Sequence, residues 1–220
     1  HIALLLHNDK VVKEADLLAQ AFHKKGEEFK NLVKMGRTEG QDAVPMTLGQ
    51  EFHAFGGQID AAIEALRKSE TYLYEVNMGA TAIGTGLTAS PGYAEKCVAQ
   101  LAKITGKPIV SPKDLIAATS SMQAFVMFSS AYKNLAVTLS KISSDLIFLT
   151  SGPRNGIFEI NLPALQPGSS IMPGKVNPVM PEVMNQVCYK VMGNDATVTI
   201  ASRDGLLQLN AYEPVVATAI

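Results

Sequence analysis

The feature that most constrains the fold is a run of apolar residues between Ser111 and Thr150. They fall at Ala118, Met122, Phe125, Tyr132, Leu135, Leu139, Ile142, Leu146 and Leu149. The steps are mostly three or four residues, which aligns them along one seam of a helix, as in a coiled coil. The spacing predicts one helix over 111–150. Ser111 would be its cap, Pro112 its first helical residue and Asp114 an acid three residues after the cap. At 1.5 Å per residue such a helix is roughly 60 Å long. That is more than a compact domain needs, so the seam is expected to be covered by other subunits.

The same periodicity recurs. A helix is predicted over 2–34, with Val11, Ala15, Leu18, Phe22, Phe29 and Leu32 on one face. Another is predicted over 49–76, with Phe52, Phe55, Ile59, Ile63, Leu66 and Leu73. A shorter one covers 93–105 and stops at Gly106. A fifth starts at Asn177-Pro178, with Asn as cap and a core stripe of Val179, Val183, Val187 and Val191. Cys188 is expected in that stripe. No strand pattern stands out. The predicted fold class is all-α, an elongated bundle of long helices in which residues 1–220 form one helical domain. The chain opens in a helical pattern at His1 and stops in an apolar run at Ile220, so it is expected to be a piece of a longer protein.

Composition excludes several classes. With 19 Lys+Arg against 20 Asp+Glu, no basic excess suits nucleic acid or an anionic membrane. No apolar run reaches the ~18 residues that span a bilayer. Two cysteines, Cys97 and Cys188, make no disulfide framework, and a reduced cytoplasmic setting is expected. His1, His7, His23 and His53 lack metal-ligand spacing, so no zinc site is expected. There is no Gly-x-Ser-x-Gly elbow.

The chemistry is expected in the connections. The segment Gly168-Ser169-Ser170-Ile171-Met172-Pro173-Gly174-Lys175-Val176-Asn177-Pro178 has two hinge glycines, two hydroxyls, a cation and the positive end of a following helix. That combination suits an anionic carboxylate or a developing enolate-like charge. A capped helix behind a flexible loop, with Lys175 merely solvated, accounts for the same residues. In the segment from Met35 to Phe52, Arg37 and Thr38 can bind a carboxylate, and Glu39 and Asp42 can exchange protons; a simple helix-to-helix turn is the alternative. The glycines from Gly79 to Gly86 lack the Lys-Ser/Thr pair of a P-loop and suit close backbone packing instead.

GSSIMPGKVNP from Gly168 resembles the fingerprint of the fumarase/aspartase superfamily. Supporting blocks are MGRTEGQDAVPMTLGQEF from Met35, EVNMGATAIGTGL from Glu75, SGPRNGIFEINLPALQ from Ser151, NQVCYKVMGND from Asn185 and LQLNAYEP from Leu207. The resemblance covers nearly the whole chain and is closest to the ammonia-lyase branch that deaminates L-aspartate to fumarate. It implies the central helical domain of that fold, packed into an intersubunit helix bundle in a homotetramer. It implies a small dicarboxylate substrate and no organic cofactor; some members are activated by a divalent metal. Ser169 would be the general base, removing the Cβ proton to give an aci-carboxylate. Ser170 and Ile171 would supply amide N–H groups, and Lys175 and Asn177 would hold the substrate carboxylate. Thr38 and the residue after it would bind the other carboxylate from a neighbouring subunit.

One position departs from the pattern. Where the superfamily has His or Gln, this chain has Glu39. Glu182 matches the partner of that His in fumarases, so the two carboxyls are expected either to couple, leaving one protonated, or to point apart. Family subunits extend beyond both ends of this chain, so the 220 residues alone are expected to be inactive. A fumarase, or a non-catalytic helical oligomerisation core, are the alternatives.

Overall fold

In the computed structural model, which describes residues 1–220, helix dominates as the periodicity predicts. The order is α1 (Ile2–Glu28), β1 (Val33–Thr38), β2 (Gln41–Thr47), α2 (Leu48–Ser69) with a 3-10 turn (Glu70–Leu73), α3 (Tyr93–Thr105), α4 (Leu115–Ser120), α5 (Gln123–Leu149), α6 (Val179–Arg203) and α7 (Glu213–Ala219). Helix α1 packs along α2, α2 along α5, and α5 along α6. The main core holds Ala15 and Ala19 of α1, Phe52, Phe55, Ile59, Ile63 and Leu66 of α2, and Leu135 and Ile142 of α5. Each buried Leu, Ile or Phe there contributes about 1.5–3 kcal/mol through removal of apolar surface from water. A second cluster joins Leu5, Leu73, Val98, Ile109 and Phe128. A third joins Met122, Val198, Ala201 and Val216. No helix is long and apolar enough to cross a membrane.

Four expectations change. The helix predicted over 111–150 is two. Asp114, not Ser111, is the cap, accepting the amides of Ile116 at 2.8 Å and Ala117 at 3.1 Å. After six residues the hydroxyls of Ser120 and Ser121 bond local backbone, and Ser121 turns to extended geometry. Such bonds compete with helix continuation. The seam from Phe125 onward survives in α5.

The helix predicted over 2–34 ends at Glu28, because its exit is fastened to the start of α2. Leu48 N–H donates to Leu32 O at 2.8 Å and Gly49 N–H to Phe29 O at 3.1 Å. Helix α2 begins one residue before its predicted start. Thr47 and Gln50 form a capping box of 3.1 Å and 2.9 Å bonds, a Thr-x-x-Gln signal present in the sequence.

Third, residues 33–47 form an antiparallel hairpin where no strand was expected. Its two-residue loop, Glu39-Gly40, has φ of 52° and 80°. Positive φ at both positions is the geometry of a type I′ turn, whose twist matches paired strands.

Fourth, α6 turns a different face inward. Val183 and Val187 are exposed, and Pro181, Asn185, Cys188, Asp195, Val198 and Ala201 are buried. Polar partners on α5 set this rotation. Ser140 donates to Asn185 at 2.8 Å, and Asp195 accepts from Ser129 at 2.8 Å and Lys133 at 2.5 Å. A buried carboxylate is held by its hydrogen bonds and cation, so the face that carries it faces α5. Cys188 is buried as expected.

Gly49 is where α1 meets α2 most closely. A Cβ there would sit 2.4 Å from Gly26 O and 2.5 Å from Lys30 Cα. Both are backbone atoms, so Gly49→Ala should cost about 1–3 kcal/mol of overpacking strain, measured by urea unfolding.

Candidate active site

Two segments carry the predicted site residues. The first is the 151–178 connection between α5 and α6. Within it the chain pinches shut: Ser169 N–H donates to Lys175 O at 3.3 Å, and Lys175 N–H to Met172 O at 3.1 Å. A Cβ on Gly168 would meet Lys175 O at 2.7 Å, so only glycine allows this approach. Gly174 turns the loop with φ of 82°. Inside the pinch the hydroxyl oxygen of half-buried Ser169 accepts two amides, Ile171 N–H and Met172 N–H, each at 3.2 Å. Hydrogen bonds donated to an oxygen favour its anionic form. Ser170, Ile171, Lys175 and Asn177 are exposed along the same loop. The Lys175 ammonium makes no ion pair or hydrogen bond within the chain, which leaves its charge available to a ligand. Asn177 does not cap α6 with its side chain; its carbonyl accepts Val179 N–H at 2.9 Å.

The second segment is the β1–β2 hairpin. Thr38 and Glu39 are exposed at its tip. Glu182 is half-buried in the first turn of α6. No hydrogen bond joins Glu39 to Glu182, and neither forms an ion pair.

Arg37 is occupied. Its Nη1 donates to Glu159 Oε1 at 2.6 Å, and its Nε lies 3.6 Å from Asp42. It is therefore no open receptor for a carboxylate, as its place in the sequence suggested. Lys34, whose side chain is 8% exposed, touches Glu51 at 2.7 Å and Glu159 Oε2 at 2.8 Å. The latter is an ion-pair contact at angles that fall short of a hydrogen bond, and Glu159 Oε2 is buried with no other donor. Burial pushes the Glu159 carboxyl up, but the contacts and charges of Lys34 and Arg37 outweigh it and hold the group below the usual carboxylate range.

Sequence reasoning missed Lys34 and Glu159. The signal was a Lys and an Arg flanking a glycine, in a stretch read as helix end and turn. Elsewhere, tertiary packing brings His23 Nδ1 within 3.2 Å of His53 Nδ1, flanked by Asp60 at 2.8 Å and Glu27 at 3.0 Å. No group of three or more His, Cys, Asp or Glu side chains is arranged to hold a metal ion.

A family model described as Lyase matches residues 1–193. The chain belongs to that lyase family. This lyase-family chain is 56% identical over 220 residues to an aspartate ammonia-lyase of Pseudomonas aeruginosa, covering 100% of itself and 46% of that protein. It is 54% identical over 211 residues to an aspartate ammonia-lyase of Escherichia coli strain K12, covering 96% of itself and 44% of that protein. It thus spans about half the length of the curated relatives it matches. Among solved structures it superposes on a fumarate lyase:delta crystallin from Brucella melitensis bound to cobalt, with a TM-score of 0.95 and 51% identity. That match covers 99% of this chain and 47% of that one. A class II fumarase from Schistosoma mansoni matches with a TM-score of 0.91 and 35% identity, over 95% of this chain and 47% of that one.

The depressed Glu159 carboxyl makes a pH prediction. A carboxyl whose folded pKa is lowered contributes stability above its unfolded value, about 4.3 for glutamate, and loses it as pH falls through the folded value. The difference in unfolding free energy between the parent and Glu159→Gln should therefore be constant from pH 5 to 7, within about 0.3 kcal/mol, and shrink below about pH 4. Urea titrations across pH read it directly.

Proposed function

We propose that the intact protein containing this chain is an aspartate ammonia-lyase, converting L-aspartate reversibly to fumarate and ammonia. The observation that carries this reading is the pair of amides donated to the Ser169 hydroxyl oxygen inside the glycine-pinched loop. It is joined by 56% identity to a curated aspartate ammonia-lyase. The fumarase alternative is less favoured, its relative being 35% identical.

A serine hydroxyl is a poor base in water. In this reading its alkoxide is stabilised by the amides of Ile171 and Met172 and by the Lys175 ammonium of the same loop, once the loop excludes water. Ser169 takes the Cβ proton. The C–H electron pair becomes the new C=C bond, the C–N bond breaks, and nitrogen leaves as ammonia. Between these steps the substrate carboxylate carries additional negative charge as an aci-carboxylate. In this reading Lys175, Asn177 and the Ser170 amide neutralise it, while the Ile171 N–H, expected to share that role, is donated to Ser169. In this reading Thr38 and Glu39 meet the far carboxylate from a neighbouring subunit.

No organic cofactor is required by this sequence of steps. The assembly is a homotetramer in this reading. The exposed Val183, Val187 and Tyr189 of α6 and Val137 and Phe148 of α5 provide apolar surface for neighbouring helices. Two free cysteines suit a cytoplasmic setting.

Ser169→Ala in the intact protein should lower fumarate formation a hundredfold or more while substrate still binds. Near-normal turnover would overturn the assignment. In a substrate panel, aspartate should release ammonia and malate should not be dehydrated; the reverse identifies a fumarase. Glu39→Gln should leave activity within about threefold. Abolished activity would show that the ionisable carboxyl is needed.

A further inference from the structure

In a regular strand, side chains alternate faces, so residues three apart point to opposite sides. Lys34 and Arg37 are three apart in β1, yet both reach the carboxylate of Glu159. The strand pairing is irregular between them. Lys34 pairs with Met46 and Met35 with Pro45, but Arg37 pairs with Asp42, with an irregularity between Met35 and Arg37. Between those pairs β1 advances two residues and β2 three, so the additional residue lies in β2, where Ala43 and Val44 stand opposite Gly36 and the ladder is locally kinked. Gly36 is buried there, and a Cβ on it would sit 2.9 Å from Val44 O. Two long cationic side chains of β1 thus converge on one carboxylate beside this irregularity.

That carboxylate belongs to the other segment that carries predicted site residues. Glu159 lies in the connection that carries Ser169. Its backbone is fixed independently of its side chain, with Glu159 N–H donating to Leu149 O at 2.9 Å and Phe158 N–H to Ser151 O at 2.9 Å. The connection is therefore the anchor and the hairpin the part that is tied down. The base of the hairpin is held by main-chain bonds at Phe29 and Leu32, and Arg37 stands next to Thr38 at the tip. A bidentate-capable guanidinium at 2.6 Å, supported by a buried ammonium, fixes orientation more strictly than apolar contact does.

We propose that Glu159 is a positioning residue that fastens the Thr38–Glu39 hairpin to the connection carrying Ser169, and so sets where the hairpin presents its substrate contacts. The inference rests on the reading of the site given above. Glu159 touches no substrate; it acts through Arg37 and Lys34. Loss of its charge leaves the loop closed around Ser169 but frees the hairpin tip.

The test is Glu159→Gln in the intact protein, beside Glu159→Asp and the reference Ser169→Ala. With aspartate as substrate, Glu159→Gln should raise KM about tenfold or more, with kcat within about threefold. Amide hydrogen exchange should accelerate over residues 33–47 and stay unchanged over 123–149. Glu159→Asp should recover part of the KM. Unchanged exchange in the hairpin overturns the fastening. Faster exchange with unchanged KM overturns the role in presenting substrate contacts. A fall in activity that merely follows the folded fraction marks an ordinary stabilising ion pair and also overturns the proposal. An active Ser169→Ala removes the serine assignment, and the hairpin exchange of Glu159→Gln still decides the fastening.

Discussion

The apolar seam along which α1, α2 and α5 meet is the constraint on which the rest of the molecule depends. Ile59, Ile63 and Leu66 of α2 are almost wholly excluded from solvent between Ala15 and Ala19 of α1 and Leu135 and Ile142 of α5. Small residues on α1 let the two helices approach, and Gly49 lets the chain leaving α1 lie directly on the start of α2. Because those three helices are fixed, the hairpin between α1 and α2 and the connection leaving α5 emerge side by side. The charged contacts of Lys34, Arg37 and Glu159 are possible only because the seam delivers both segments to one place.

The loop of Ser169 uses a different logic. It has no regular secondary structure, and its shape comes from a few backbone bonds and two glycines. Gly168 permits contact with Lys175 O, Gly174 turns the chain, and the Ser169 oxygen collects two amides. Such a loop can open and close at low cost, since little apolar surface holds it shut. Its ends are firm: main-chain bonds to Leu149 and Ser151 at one side and the start of α6 at the other. The fumarate lyase:delta crystallin and class II fumarase structures share this frame at TM-scores of 0.95 and 0.91.

Buried polar groups, more than apolar pattern, set the orientation of α6. A reading by periodicity alone assigns Val183 and Val187 to the core. The protein instead buries Asn185 and Asp195 against hydroxyls and a lysine of α5. Satisfying a buried carboxylate outweighs the transfer of two valines, because leaving it unpaired costs more than the valines would contribute. The displaced valines become surface that a partner helix can cover.

Much was legible in the residues themselves. Periodicity located the bodies of the long helices and the α3 stop at Gly106, since a 3.6-residue repeat is a local property of the chain. The Gly168–Pro178 segment stood out as a candidate site because hydroxyl, cation and glycines lie within one short stretch. What tertiary structure decided was everything set by partners distant in sequence. It chose Asp114 over Ser111 as a helix start, and it paired residues 33–47 as strands around a Glu39-Gly40 turn. It also rotated α6 and brought Arg37 and Lys34 onto Glu159, more than 120 residues away. Local patterns specify which elements can form, whereas faces, registers and ion pairs depend on which charges and hydroxyls the packed helices bring within reach.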